Sequence, residues 1–419
     1  MNTLKNNLPA VLLAGMALGT AWAIRGSFGH EYGAAWAGGI GALGVILVAK
    51  RADWYNRFLA ATMAAAAGWG IGGIISYGMV VGYGRGNYFG NVFYGLAMLL
   101  VIGGLFGWIG GGLFGLALSD RPGNKVQWHT LIVEMICGGL LFYYFLISEF
   151  EWLMTPPRGE EWAACLGMSF ALTWYLFRNK HHAPIRVAVF SALGAGFGFA
   201  FGNFLQVMGD SAGLHSVNLW NVMEYSIGFF GGCGMAYGTF SADWEQPAPV
   251  SAKQQGFLPV VFITLIIPFI LWDKSFNGRQ PETSIGFASI KQWVALGGVF
   301  LFSGFFIKKF YDEKRSSAAY GFNNVFVFFI ASLGLYTIFH FLNSDVLTNG
   351  LSLEQWLYLL NLAVLLFFLP KVKAAFTGKG LQPGNWVGLL FILLVILAVL
   401  AVIAIHSHGS LPGMQKRFS

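Results

Sequence analysis

The sequence predicts an all-α, polytopic transmembrane helical bundle, and three observations predict it. Only 10% of the residues are charged while 56% are hydrophobic, against about 25% charged in ordinary soluble domains. The apolar residues gather into runs close to the length of about 20 residues that a bilayer requires of a helix. The basic residues sit between those runs rather than on one patch. A chain of 419 residues could not hide so much apolar surface against itself in water.

About thirteen spanning helices are expected, near 8–24, 33–49, 58–83, 92–118, 127–147, 161–177, 187–208, 220–240, 256–272, 292–307, 322–342, 355–370 and 386–405. The first run resembles a secretory signal peptide. It is preceded by the single basic residue Lys5 and lacks a small-residue cleavage site, so it reads as a retained first helix. With the N-terminus in the cytoplasm, 17 of the 25 basic residues fall in cytoplasmic segments, among them Lys50, Arg51, Arg121, Arg178 and Lys308. Such a bias orients a membrane protein, here within a prokaryotic plasma (inner) membrane. The net charge of +7 therefore implies lipid rather than nucleic acid as the partner.

No long polar insertion separates a soluble domain, so residues 1–419 read as one integral membrane domain. Internal similarity points to parallel repeats of glycine-rich helix hairpins, near 58–180 and 187–307, with a degenerate third copy near 322–370. Gly68-Trp-Gly-Ile-Gly-Gly parallels Gly194-Ala-Gly-Phe-Gly-Phe, and Asn91-Val-Phe-Tyr parallels Asn221-Val-Met-Glu. Glycines also recur every four residues: Gly15 and Gly19; Gly68 and Gly72; Gly103, Gly107, Gly111 and Gly115; Gly194, Gly198 and Gly202; Gly228 and Gly232. In lipid, such rows let helix backbones approach closely. The central helices should therefore cross tightly, while spans such as 256–272 and 386–405 face lipid.

Several chemistries are excluded. Gly68-x-Gly70-x-x-Gly73 matches the dinucleotide fingerprint only formally, because no strand precedes it. No GxxxxGK[ST] phosphate loop occurs, and Cys137, Cys165 and Cys233 show neither CxxC nor Cys/His spacing. No cofactor and no metal are expected.

Ionisable and amide side chains within spans are costly and mark candidate sites. Arg25, His30 and Glu31 occupy the first helix break, and His181 and His182 read as solvated in a cytoplasmic loop. Arg85 and Asn91 flank the next outward turn. Asn203, Gln206 and Asp210 share one helical face, and Asn218, Asn221 and Glu224 form a second stripe. These eleven are the expected substrate-binding residues, around an outward-facing polar cavity. Amides beside aromatic rings suit hydroxyl-rich rings, and Arg25 and Arg85 suit a carboxylate or phosphate. Glu31, Glu134 and Glu224 are the acids that could couple a proton, since burial raises a carboxylate pKa. The expected function is a secondary transporter for a small polar solute, sugar-like or anionic such as a sugar acid. The alternatives are a membrane-embedded transferase or hydrolase with a His30/Glu31 or Asp210/His215 acid–base pair, or a structural subunit of a membrane complex.

Overall fold

The computed structural model describes residues 2–28, 33–121, 123–246, 256–277, 287–315, 319–344, 346, 350–380, 382–409 and 411–418. Among these the chain is helical, with two isolated bridges and no strand. In order come α1 (Asn2–Arg25), α2 (Ala34–Ala49), α3 (Ala52–Tyr55), α4 (Phe58–Gly72), α5 (Gly78–Gly84) and α6 (Phe89–Ser119). Then follow α7 (Trp128–Tyr143), α8 (Glu161–Arg178), α9 (His182–Ser211), α10 (Leu219–Ser241) and α11 (Phe257–Val261). The last five are α12 (Ile267–Trp272), α13 (Phe287–Arg315), α14 (Phe322–Asn343), α15 (Leu353–Phe368) and α16 (Pro383–Ser407). Wider turns continue α7 through Tyr144–Glu149 and join α11 to α12 through Phe262–Ile266.

Eight stretches are long and apolar enough to cross a membrane: Asn7–Phe28, Phe89–Ser119, Trp128–Glu149, His182–Ser211, Phe257–Phe276, Ile290–Tyr311, Phe322–Asn343 and Gly384–Ser407. The chain is an integral membrane protein. The five other expected spans differ for physical reasons. Helices α2, α4 and α15 are apolar but shorter. The run 58–83 is broken, because α4 stops at Gly72 and α5 resumes at Gly78. Helices α8 and α10 carry more polar residues. Helix α10 lies between α1 and α9, so much of its surface meets protein.

The glycine rows do what their spacing predicts. A methyl at Gly68 would sit 2.7 Å from Gly110 Cα, and one at Gly72 would sit 2.7 Å from Phe106 Cα, so α4 and α6 touch backbone to backbone. Gly103 and Gly107 of α6 lie on the carbonyls of Ala195 and Ser191 in α9. Gly194, Gly198 and Gly202 of α9 press on Phe230, Ser226 and Met223 of α10. Gly228 and Gly232 of α10 in turn meet α1 at Leu18 and Ala14. Trp69 fills the centre, held by Gly38, Gly110 and Gly231 from three different helices. It meets Trp22 edge to face at 5.1 Å.

The lipid-facing expectation holds for one of its two spans. Only 17% of the Gly384–Ser407 window is buried, but 44% of Phe257–Phe276 is, because α11 and α12 also pack on α13, α4 and α2.

Gly107→Ala is expected to destabilise the protein by about 1–3 kcal/mol through overpacking against Ser191. Gly304→Ala on α13, where nothing lies within 4 Å of the added methyl, should leave stability unchanged or slightly raised. Melting temperatures in detergent check the contrast.

Candidate functional site

Helix α1 ends on Arg25, and one turn of tighter helix, Gly26–Phe28, follows it. This carries a guanidinium from an apolar helix straight into the bundle, where Arg25 is wholly buried. Its Nη1 donates to Glu224 Oε2 at 2.6 Å, and the Glu224 side chain, on α10, is 5% exposed. Tyr77 lies in the break between α4 and α5. Its hydroxyl donates to Glu224 Oε1 at 2.6 Å and accepts from Arg25 Nη1 at 3.3 Å. Both carboxylate oxygens are thereby satisfied. The Arg25 guanidinium lies 4.7 Å from the Trp22 ring centre.

Glycine makes the approach possible. A methyl on Gly33 would sit 2.7 Å from Arg25 Cγ and collide with the Tyr336 hydroxyl, which donates to the Gly33 carbonyl at 3.0 Å. The Trp36 ring stacks on Tyr336 at 4.9 Å. Four segments from separate parts of the sequence therefore close on one ion pair: the end of α1, the break between α4 and α5, the second turn of α10 and the interior of α14.

The other sequence-predicted residues form separate knots rather than joining this one. Arg85 pairs with Asp210 at 2.6 Å and donates from Nε to the Pro412 carbonyl at 2.8 Å. Asn91 is taken up by residues 411–418. Its Oδ1 accepts from the backbone N–H groups of Arg417 and Phe418, and its Nδ2 donates to the Phe418 carbonyl at 3.1 Å. Asn203 and Gln206 are both buried on α9. Asn203 Nδ2 lies 3.4 Å from the Val81 carbonyl and from Gln206 Oε1, while Asn203 Oδ1 has no partner among the described residues.

Two expectations change accordingly. Arg25 and Arg85 were expected to suit an anionic solute, but each already faces a carboxylate of this chain, because in lipid nothing else neutralises it. Asn218 caps α10, its Oδ1 accepting from Asn221 N at 3.1 Å. Glu134, expected either to couple a proton or to pair with a polar partner in the bundle, pairs with Arg178 of α8 at 2.6 Å. His30 and Glu31 lie outside the described residues.

Asn221 connects the central knot to a second feature. Its Nδ2 donates to the Ala23 carbonyl at 3.0 Å and to the Tyr358 hydroxyl at 2.5 Å. Beside it a groove of about 290 Å³ opens between α10 and α15. Tyr77 was expected among the aromatics beside the polar residues, though not as a partner of Glu224; Tyr336, Tyr358 and Asn361 were not predicted. Asn361 had a sequence signal, a lone carboxamide inside the apolar run Leu357–Leu369.

At the opposite end, a basin of about 460 Å³ is lined by Arg121, Lys180, His181, His182 and Asp243 among others. His181 was expected to be solvated, yet it is buried. Burial lowers its pKa below the ordinary 6.5, with Asp120 opposing and His182 adding to the shift. Asn124 Nδ2, which can only donate, lies 3.4 Å from His181 Nδ1 and so also favours the neutral ring.

No protein-family model, curated protein or solved structure matches the chain.

Two predictions follow from this geometry. Glu224→Leu or Arg25→Leu alone should each cost about 3–5 kcal/mol by stranding a buried charge, while the double replacement should cost much less. A double-mutant cycle on melting temperature reads the difference. Because the depressed His181 pKa favours the neutral ring, its contribution is fully present above pH 6.5 and is lost as pH falls through the lower folded value. Stability should therefore fall on acidification below 6.5, and His181→Gln should flatten that fall in a pH series of melting curves.

Proposed function

We propose that this protein is a secondary transporter of a small polar solute, built on about thirteen crossings with the N-terminus in the cytoplasm. The observation that carries the reading is the Arg25–Glu224–Tyr77 knot, a fully desolvated ion pair set where two helices are interrupted. Ionisable groups at such depth are expensive, and scaffolding alone rarely retains them. Interrupted helices whose ends meet near polar groups are the usual means by which carriers build a substrate and coupling-ion site.

In this reading Glu224 is the switch. When it is ionised, the carboxylate holds Arg25 and Tyr77 and the four segments stay closed. When it takes a proton, the attraction to Arg25 is lost and the segments can part. A proton taken up on one side and released on the other would couple the gradient to solute movement. The engagement of Asp210 by Arg85 favours this reading over an Asp210/His215 acid–base enzyme. Such a carrier fits a prokaryotic plasma membrane, where proton gradients are available.

Proteoliposomes containing the full chain test it with radiolabelled neutral hexoses and their sugar acids. The expected result is saturable, gradient-driven uptake of at least one probe. Glu224→Gln should abolish accumulation while the variant stays folded by gel filtration and melting. Conversion of a probe to product without counter-flow would move the assignment to an enzyme.

A further inference from the structure

We infer that the groove between α10 and α15 is a binding site for an uncharged polyhydroxy solute and discriminates against its acid forms. This deepens the transporter reading and rests on it for the direction of use, although the binding itself does not. The polar lining is Asn218, Asn221 and Tyr225 from α10 with Glu354, Tyr358 and Asn361 from α15; aliphatic side chains supply the rest. A cavity of about 290 Å³ is at the lower end of the range for small-molecule sites, about 300–1,000 Å³.

The hydrogen-bond accounting decides the ligand class. Asn221 Nδ2 has two N–H groups, and both are spent on protein, on the Ala23 carbonyl and the Tyr358 hydroxyl. A backbone carbonyl can only accept, so this amide cannot be the other way round. The Asn221 oxygen is left toward the groove, and it accepts nothing among the described residues. Asn361 Nδ2 donates to Thr20 Oγ1 at 3.0 Å and to the Tyr225 hydroxyl at 3.4 Å; because both partners are hydroxyls, which can also donate, only the Asn221 oxygen is fixed as a free acceptor. Glu354 adds a carboxylate near the first turn of α15. Tyr225 and Tyr358 each accept from an amide and keep one O–H to give.

The site therefore offers acceptors and donors together, the latter being two tyrosine hydroxyls and the N–H groups of Asn218, whose oxygen is spent on capping α10, and it has no Lys, Arg or His among its described lining residues. A sugar or polyol hydroxyl satisfies both kinds of partner, because each hydroxyl donates one hydrogen bond and accepts others. A carboxylate or phosphate would face the Asn221 oxygen and Glu354 with nothing cationic to offset them. Tyr225, partly buried on α10, supplies an aromatic ring to a groove otherwise rich in amides and aliphatic side chains. The groove also adjoins the central knot, since Asn221 bonds to Ala23, two residues before Arg25, and Glu224 lies one turn further along α10.

Equilibrium binding to the purified full chain in nanodiscs tests the assignment, with D-glucose and myo-inositol as neutral probes and glucuronate as the acid. At least one neutral probe should bind saturably and more tightly than glucuronate by about tenfold or more. Asn361→Leu should weaken that binding by about tenfold with the melting temperature of the free protein retained. Glu354→Gln should narrow the gap between glucose and glucuronate. Tighter binding of glucuronate, absence of saturable binding by both neutral probes, or indifference of their affinity to Asn361→Leu would overturn the inference. Binding that meets these conditions without uptake would sink the transporter reading and leave the site standing; uptake of glucuronate in preference to glucose would do the reverse.

Discussion

The fold is organised around one desolvated ion pair. Bringing Arg25 and Glu224 out of water costs several kcal/mol for each charge, and their attraction offsets that only when geometry is close and the remaining polar atoms are filled. Tyr77 fills the second carboxylate oxygen, Trp22 lies against the guanidinium, and Gly33 lets Tyr336 and Arg25 pack against the start of α2. These groups come from α1, the α4–α5 break, the start of α2 and α14, so the pair ties together segments that are up to about 300 residues apart in sequence. The end of α1 and the α4–α5 break are drawn to the same point as the second turn of α10.

Glycine supplies the rest of the cohesion. Lipid tails are as apolar as leucine, so burying leucine gains little between helices in a membrane. Close backbone contact replaces it, and rows four residues apart on α4, α6, α9 and α10 provide it. The indole of Trp69 then occupies a socket made by three glycines, which explains how so small-sided a bundle remains filled at its centre.

Much of this was legible in the sequence. Apolar run length marks the membrane helices because a bilayer imposes one length on all of them, and glycine spacing marks close crossings because the helical period is fixed. Arg25, Asn221 and Glu224 were found as candidates because their cost at depth is independent of partners. What partners they choose was not legible: pairing of Arg85 with Asp210, or of Glu134 with Arg178, depends on which helices become neighbours, and one-dimensional periodicity does not encode that. Tyr77 was found among the aromatics but not as a carboxylate partner, and Tyr336 was missed, since a tyrosine in an apolar run looks the same whether it faces headgroups or a buried polar group. Length and composition alone mark eight of the expected spans, because a helix surrounded by protein need not be uniformly apolar. Helix α10 can be polar because its neighbours, not lipid, are its solvent.

The contact of α6 with α9 has a mechanical consequence. With Gly103 and Gly107 lodged against carbonyl oxygens of α9, and Gly196 against that of Leu100, the two helices mesh like teeth at main-chain range. A shift of even one residue along the axis, about 1.5 Å, would drive those carbonyls into side chains on the neighbouring positions. This pair is therefore a fixed frame. Helix α15 meets its neighbours differently, through the tips of Asn221, Tyr225, Asn361 and Tyr358, and such joints can swap partners at little cost.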